Sequence, residues 1–195
     1  IRSQRIYLYR RNIRIKNILI SIKPKWCKKI VSGEKTIEVR KSAPKEVPFK
    51  CYIYMTQGKY KDLGLYSEDI YQNRMKVIGE FICDKVYSIK NRGFCFSVAT
   101  EGESITDEIA RQSCLDYDDM ISYLGNKDGY GLHITDLKIY DKPKKLSEFC
   151  IPCKVSCENC KNPLYFECWC EEKGKKIVTR PPQSWCYVED LGEEK

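Results

Sequence analysis

The chain has 195 residues, 42% hydrophobic and 32% charged, with 35 lysines and arginines against 27 acids and a formal net charge of +8. That suits one domain with an appendage and gives enough apolar side chains for a core. No apolar run approaches the ~18 residues of a membrane span and no signal-peptide core stands near the start, so the expectation is a cytoplasmic protein that is not a membrane protein.

The positive charge is unevenly spread. Residues 1–17 hold six basic side chains and no acid, and residues 18–61 hold eleven against three. Residues 62–141 reverse the sign, eight against fifteen, and residues 142–195 nearly balance, ten against nine. The first block mixes arginine with aliphatics without helix or strand phase. It reads as a basic N-terminal extension outside the fold, a fragment or upstream translation, with a basic arm that folds on nucleic acid as the alternative.

Ile18-Leu19-Ile20-Ser21-Ile22 is an apolar run of buried-strand length. Lys23 to Ser32 then reads as a short helix, with Pro24 pre-set for the first turn and Gly33 free to take a left-handed stop. From Thr36 to Arg40 the residues alternate, so Ile37 and Val39 share one face and Glu38 and Arg40 the other. Lys35 lies in the turn before that period is set, and its direction is open.

Gly33, Lys35, Glu38 and Arg40 thus fill a Gly-x-Lys-x-x-Glu-x-Arg spacing inside a strand, helix, strand order. In this the chain resembles the ASCH domain, a branch of the PUA-like superfamily associated with RNA. The resemblance covers roughly residues 18–146 and implies an α+β fold: a PUA-like mixed β-barrel with short flanking helices.

The rest of that region is compatible. Phe49, Cys51, Ile53 and Met55 alternate with Lys50, Tyr52, Tyr54 and Thr56 as a half-buried strand, and residues 57–73 read as an excursion. Strand character resumes from Lys76 to Ile89, with Gly79 a candidate bulge. Thr106-Asp107-Glu108 opens one helix, and Tyr117, Met120, Ile121 and Leu124 mark a second, stopped by Gly125. Leu132 to Tyr140 supplies closing strands. His133 there is the only histidine, which leaves histidine-based nucleophilic schemes with little support.

Residues 147–195 form a cysteine-rich tail. Seven of the twelve cysteines fall there, and Cys150-x-x-Cys153, Cys157-x-x-Cys160 and Cys168-x-Cys170 are chelating spacings. In a reducing compartment these argue for a structural zinc knuckle over disulfides. The preferred ligands are Cys157, Cys160, Cys168 and Cys170, with Cys153 as substitute; an Fe–S cluster and plain thiols are the alternatives.

The leading function is an RNA-binding module that recognises RNA or a modified nucleoside in a cleft beside Gly33–Arg40. Lys35 and Arg40 would contact phosphate or a base edge, Glu38 would orient Arg40 or accept from a base amino group, and Trp26 and Tyr54 would stack on bases. Arg180, Gln183 and Trp185, beyond the cysteines, are expected to form one wall of that cleft. The resemblance also admits an RNA-processing enzyme, a ribonuclease or a nucleoside amidohydrolase, with Lys35 and Glu38 as the catalytic pair. The amidohydrolase is disfavoured because Glu38 stands where its nucleophilic threonine would be. A third reading is a protein-interaction adaptor using the zinc tail.

Overall fold

The computed structural model describes residues 15–58, 72–91, 96–98, 106–152 and 176–192. Two sheets make up the frame. The first has five strands in the order β8-β4-β3-β1-β9: β1 (Lys16–Ile22), β3 (Phe49–Met55), β4 (Val77–Cys83), β8 (Thr135–Lys144) and β9 (Trp185–Val188). The second has four in the order β2-β7-β5-β6: β2 (Ile37–Arg40), β5 (Val86–Asn91), β6 (Phe96–Val98) and β7 (Gly129–His133). Among the described residues three α-helices accompany them, α1 (Pro24–Val31), α2 (Thr106–Ser113) and α3 (Tyr117–Leu124).

Local sequence explains the helix ends. Pro24 occupies the start of α1, and Gly33 takes φ +78° just past its end, a conformation that costs a Cβ-free residue little. Asp116 accepts a hydrogen bond from the Asp119 amide at 2.7 Å and caps α3, which Gly125 stops at φ +64°.

Alternation along the strands builds three apolar layers. Ile18, Ile20 and Ile22 of β1, Cys51 and Ile53 of β3 and Phe81 of β4 face inward and meet Cys27 and Ile30 of α1 and Leu132 of β7 between the sheets. Ile37 and Val39 of β2 face the other way, onto Ile109 of α2 and Met120 and Leu124 of α3. Leu19, Tyr52 and Tyr54 use the outer face of the first sheet, under Phe149, Val178 and Val188. Both faces of both sheets are therefore covered near the motif, and β2 is buried along its whole length.

Two expectations need correction. The strand character read from Lys76 to Ile89 is two strands, because the chain changes sheet at Asp84–Lys85; it changes back at Ile134, between β7 and β8, the closing strands expected over Leu132 to Tyr140. The amides of His133 and Ile134 bond the carbonyls of Lys85 and Thr36 at 3.0 and 2.9 Å, which fixes both corners together. Nor is the barrel closed: among the described residues no ladder joins β1 to β2, and side chains span that seam instead.

Gly79 is needed for close approach. A Cβ there would stand 2.5 Å from the Lys138 carbonyl oxygen across the β4–β8 ladder, and the pairing with β3 slips by one residue beside it. Gly79→Ala is expected to cost about 2–3 kcal/mol, read as a lower urea midpoint with an unchanged slope.

Among the described residues no helix is long and apolar enough to cross a membrane.

Candidate functional site

The charges of the motif are inside the protein. Glu38 opposes Leu132 in the β2–β7 register and so shares its side of the sheet, the side facing β1 and β3. Lys35, Glu38 and Arg40 are only 2%, 5% and 5% exposed. The cleft expected around Lys35 and Arg40 is thus an interior in which both side chains are buried.

Glu38 is the hub. Its Oε1 lies 2.9 Å from Arg40 Nη2, and its Oε2 lies 3.3 Å from Lys35 Nζ. The ammonium of Lys35 also donates to the Ser113 carbonyl at the end of α2, where a cation suits the helix dipole. The same Arg40 nitrogen donates to the Ser21 carbonyl at 2.6 Å and so bridges the seam between the sheets. Burial pulls the Lys35 ammonium below its ordinary value; the attraction of Glu38 opposes this and Arg40 adds to it.

Two polar atoms of the cluster are left over. Arg40 Nε is buried without a hydrogen bond, and Glu38 Oε2 is buried with the Lys35 ammonium at 3.3 Å as its contact, short of a full hydrogen bond. Such groups cost stability when they have no partner.

Trp26 borders the cluster, half-buried, with Lys35 Nζ 5.0 Å and Lys25 Nζ 4.1 Å from its ring centroid. Tyr130, which sequence reasoning missed, is the register partner of Arg40 and is 37% exposed, so an aromatic stands where this face meets solvent. Ser21 was also missed. Its signal was a single polar residue inside an apolar strand.

Not every expected residue joins. Tyr54 is on the outer face of the first sheet, because alternation along β3 turns it away from Cys51 and Ile53. Arg180 and Gln183 are exposed. Trp185 packs on the apolar layer between the sheets and donates from Nε1 to the Ser42 carbonyl at 2.9 Å, two residues past Arg40. His133 opposes Ile37, faces away from Glu38, and holds Asp84 Oδ1 at 2.7 Å through Nδ1.

The proposed zinc ligands Cys157, Cys160, Cys168 and Cys170 lie outside the described residues, as does Cys153. What is described is the base of that segment. Ile151 N bonds Lys176 O, Val178 N bonds Phe149 O, both at 2.8 Å, and Cys150 pairs with Ile177. Among the described residues no group of three or more His, Cys, Asp or Glu side chains is placed to hold a metal.

No family model matches the sequence, and neither does any curated protein. Solved structures do. The ASCH protein of Zymomonas mobilis superposes with a TM-score of 0.53 at 18% identity, over 89% of this chain and 88% of that one. A point variant of the same protein gives 0.54 at 17% identity, over 90% of each chain. This chain has the ASCH fold. Within that fold Lys35 stands two residues before strand β2, Glu38 and Arg40 lie on it, and all three are buried.

Proposed function

We propose that this protein binds single-stranded RNA by taking one base, standard or modified, into the seam beside Lys35, Glu38 and Arg40. The observation that carries the reading is the pair of buried atoms without hydrogen bonds, an acceptor at Glu38 Oε2 and a donor at Arg40 Nε. A base edge carrying an amino group beside a ring nitrogen or carbonyl supplies the complementary pair. Phosphate fits this interior less well, because Glu38 already neutralises one of the two cations. Phosphates are better served by the exposed lysines of α1 and of the loop after β2, among them Lys28, Lys41 and Lys45. Tyr130 and Trp26 offer stacking surfaces at the rim. The ligand pool this reading implies is cytoplasmic RNA.

The test is a labelled single-stranded RNA of about ten nucleotides titrated against wild type and against the variant Lys35→Met/Glu38→Leu/Arg40→Met. Replacing a buried ion cluster by apolar groups of similar volume is often neutral for stability, so the variant is expected to stay folded and to lose at least about tenfold in affinity. A folded variant with wild-type affinity overturns the reading.

A second reading gives the same residues an enzymatic role: the Glu38 carboxylate stands 3.3 Å from Lys35 Nζ, and burial lowers the proton affinity of that amine, so the two could exchange a proton as an acid–base pair. Cleavage of the RNA during the titration, abolished in the apolar variant, would move the assignment to a ribonuclease.

We further propose that the tail holds one structural zinc ion through Cys157, Cys160, Cys168 and Cys170. The spacing supports it, and so does the paired base at Cys150 and Ile177, which brings the ends of the segment together. Metal analysis of protein purified without chelator should find about one zinc per chain. Retention of the metal after Cys157→Ser and Cys160→Ser would refute this ligand set.

A further inference from the structure

Ser21 spends every polar group it has near the seam. Its amide donates to the Ser184 carbonyl at 3.1 Å, its Oγ donates to the Pro182 carbonyl at 2.7 Å, and its own carbonyl accepts from Arg40 Nη2 at 2.6 Å. A residue further on, Trp185 pairs with Ile20 in the β1–β9 register, while its Nε1 reaches Ser42 O at 2.9 Å and Ser42 Oγ at 3.2 Å. Ser21 belongs to the first sheet, and Ser42 follows the edge strand of the second. The segment from Pro182 to Trp185 is thus fastened to both sides of a gap that no strand ladder closes among the described residues.

Arg40 crosses that gap. One guanidinium nitrogen, Nη2, serves both Ser21 O and Glu38 Oε1. The positions of those two acceptors fix the plane of the guanidinium, and with it the direction of the free Nε–H. Moving the Ser21 carbonyl by a few tenths of an ångström rotates the donor that the ligand is to meet.

We propose that Pro182–Trp185 is a strap that sets the separation of β1 and β2, and that Ser21 and Trp185 are positioning residues for Arg40. The inference rests on the reading of Arg40 as a ligand-binding group. In consequence the binding site is incomplete without the C-terminal segment, although neither Ser21 nor Trp185 need touch RNA. Proline at 181 and 182 leads into the bend at Gln183 and Ser184 and lowers the entropy lost when the strap docks.

The experiment uses the full chain with Ser21→Ala, Ser21→Thr and Trp185→Phe, and reads two quantities. One is affinity for the single-stranded RNA probe. The other is the side-chain Nε–Hε signal of Arg40 in a nitrogen-15 spectrum, assigned by its loss in Arg40→Lys. Ser21→Ala removes only the Oγ bond to Pro182 and is expected to weaken RNA binding about three- to tenfold and to move the Arg40 signal. Ser21→Thr keeps a hydroxyl and should restore both. Trp185→Phe keeps the packed ring, loses the bonds to Ser42, and should act in the same direction as Ser21→Ala.

A purely structural strap would lower thermal stability in these variants while leaving affinity and the Arg40 signal at wild-type values, and that result overturns the proposal. Failure of the RNA reading is separable, because it shows in the apolar triple variant. If that variant binds RNA like wild type, the Arg40 signal alone decides: movement in Ser21→Ala upholds the strap, and an unmoved signal rejects it.

Discussion

Glu38→Ala should destabilise the protein by about 3–5 kcal/mol, the largest loss expected from a single change in the motif. Lys35 and Arg40 are each held by this one carboxylate, at 3.3 and 2.9 Å, in an interior that leaves them 2% and 5% exposed. Without it two cations face each other across a cavity with no counter-charge, and burial already disfavours the charged form of Lys35. Urea unfolding at neutral pH measures the loss. The variant should recover part of it as pH rises towards the ordinary lysine range, because a buried amine with a lowered pKa sheds its proton in the folded state before the unfolded chain does, so stability grows with pH across that window. An unfolding midpoint within experimental error of wild type would show that the cluster is wetter than its burial indicates.

Phe149→Ala is expected to cost a similar amount, about 3–5 kcal/mol, from the opposite side of the molecule. Phe149 is fully buried and meets Tyr52 edge to face with ring centroids 5.0 Å apart. Its carbonyl accepts from Val178 N at 2.8 Å, so the ring sits at the junction where the C-terminal segment rejoins the first sheet. Above it, Asp190 accepts from Tyr52 OH at 2.6 Å and from Lys50 Nζ at 3.1 Å. A cavity beneath these contacts should loosen the segment before the sheet. Hydrogen exchange is then expected to speed up first at the amides of Cys186 and Val188, while β3 and β4 keep their protection. Uniform acceleration across the whole sheet would contradict this order.

Much of the frame was legible because it rests on short-range rules. Pro24, Gly33 and Gly125 stand where helix ends need them, and the alternation of Ile37, Glu38, Val39 and Arg40 correctly assigned residues to faces. What alternation does not say is which face is wet. On a strand covered from both sides the polar set can be as buried as the apolar set, and the partners that make this tolerable, Ser21 and Ser113, are 19 and 78 residues away from the groups they bind. The sheet change at Asp84 was hidden for a related reason. It interrupts an otherwise continuous strand pattern by two residues, and only contacts with the corner at Ile134 distinguish a bend from a straight strand. Tyr54 was a failure of application, since the alternation that defines β3 already separates it from Cys51 and Ile53.

The backbone contacts at Phe149, Ile151, Lys176 and Val178 have an architectural meaning of their own. They hold the chain together on either side of the cysteine-rich stretch, so its two ends leave the fold at one place beside Phe149. Loop length enters folding free energy logarithmically, each doubling adding only about 0.6 kcal/mol. With its two ends already paired, a change of length between Ile151 and Lys176 therefore adds little to the cost of closing that pair.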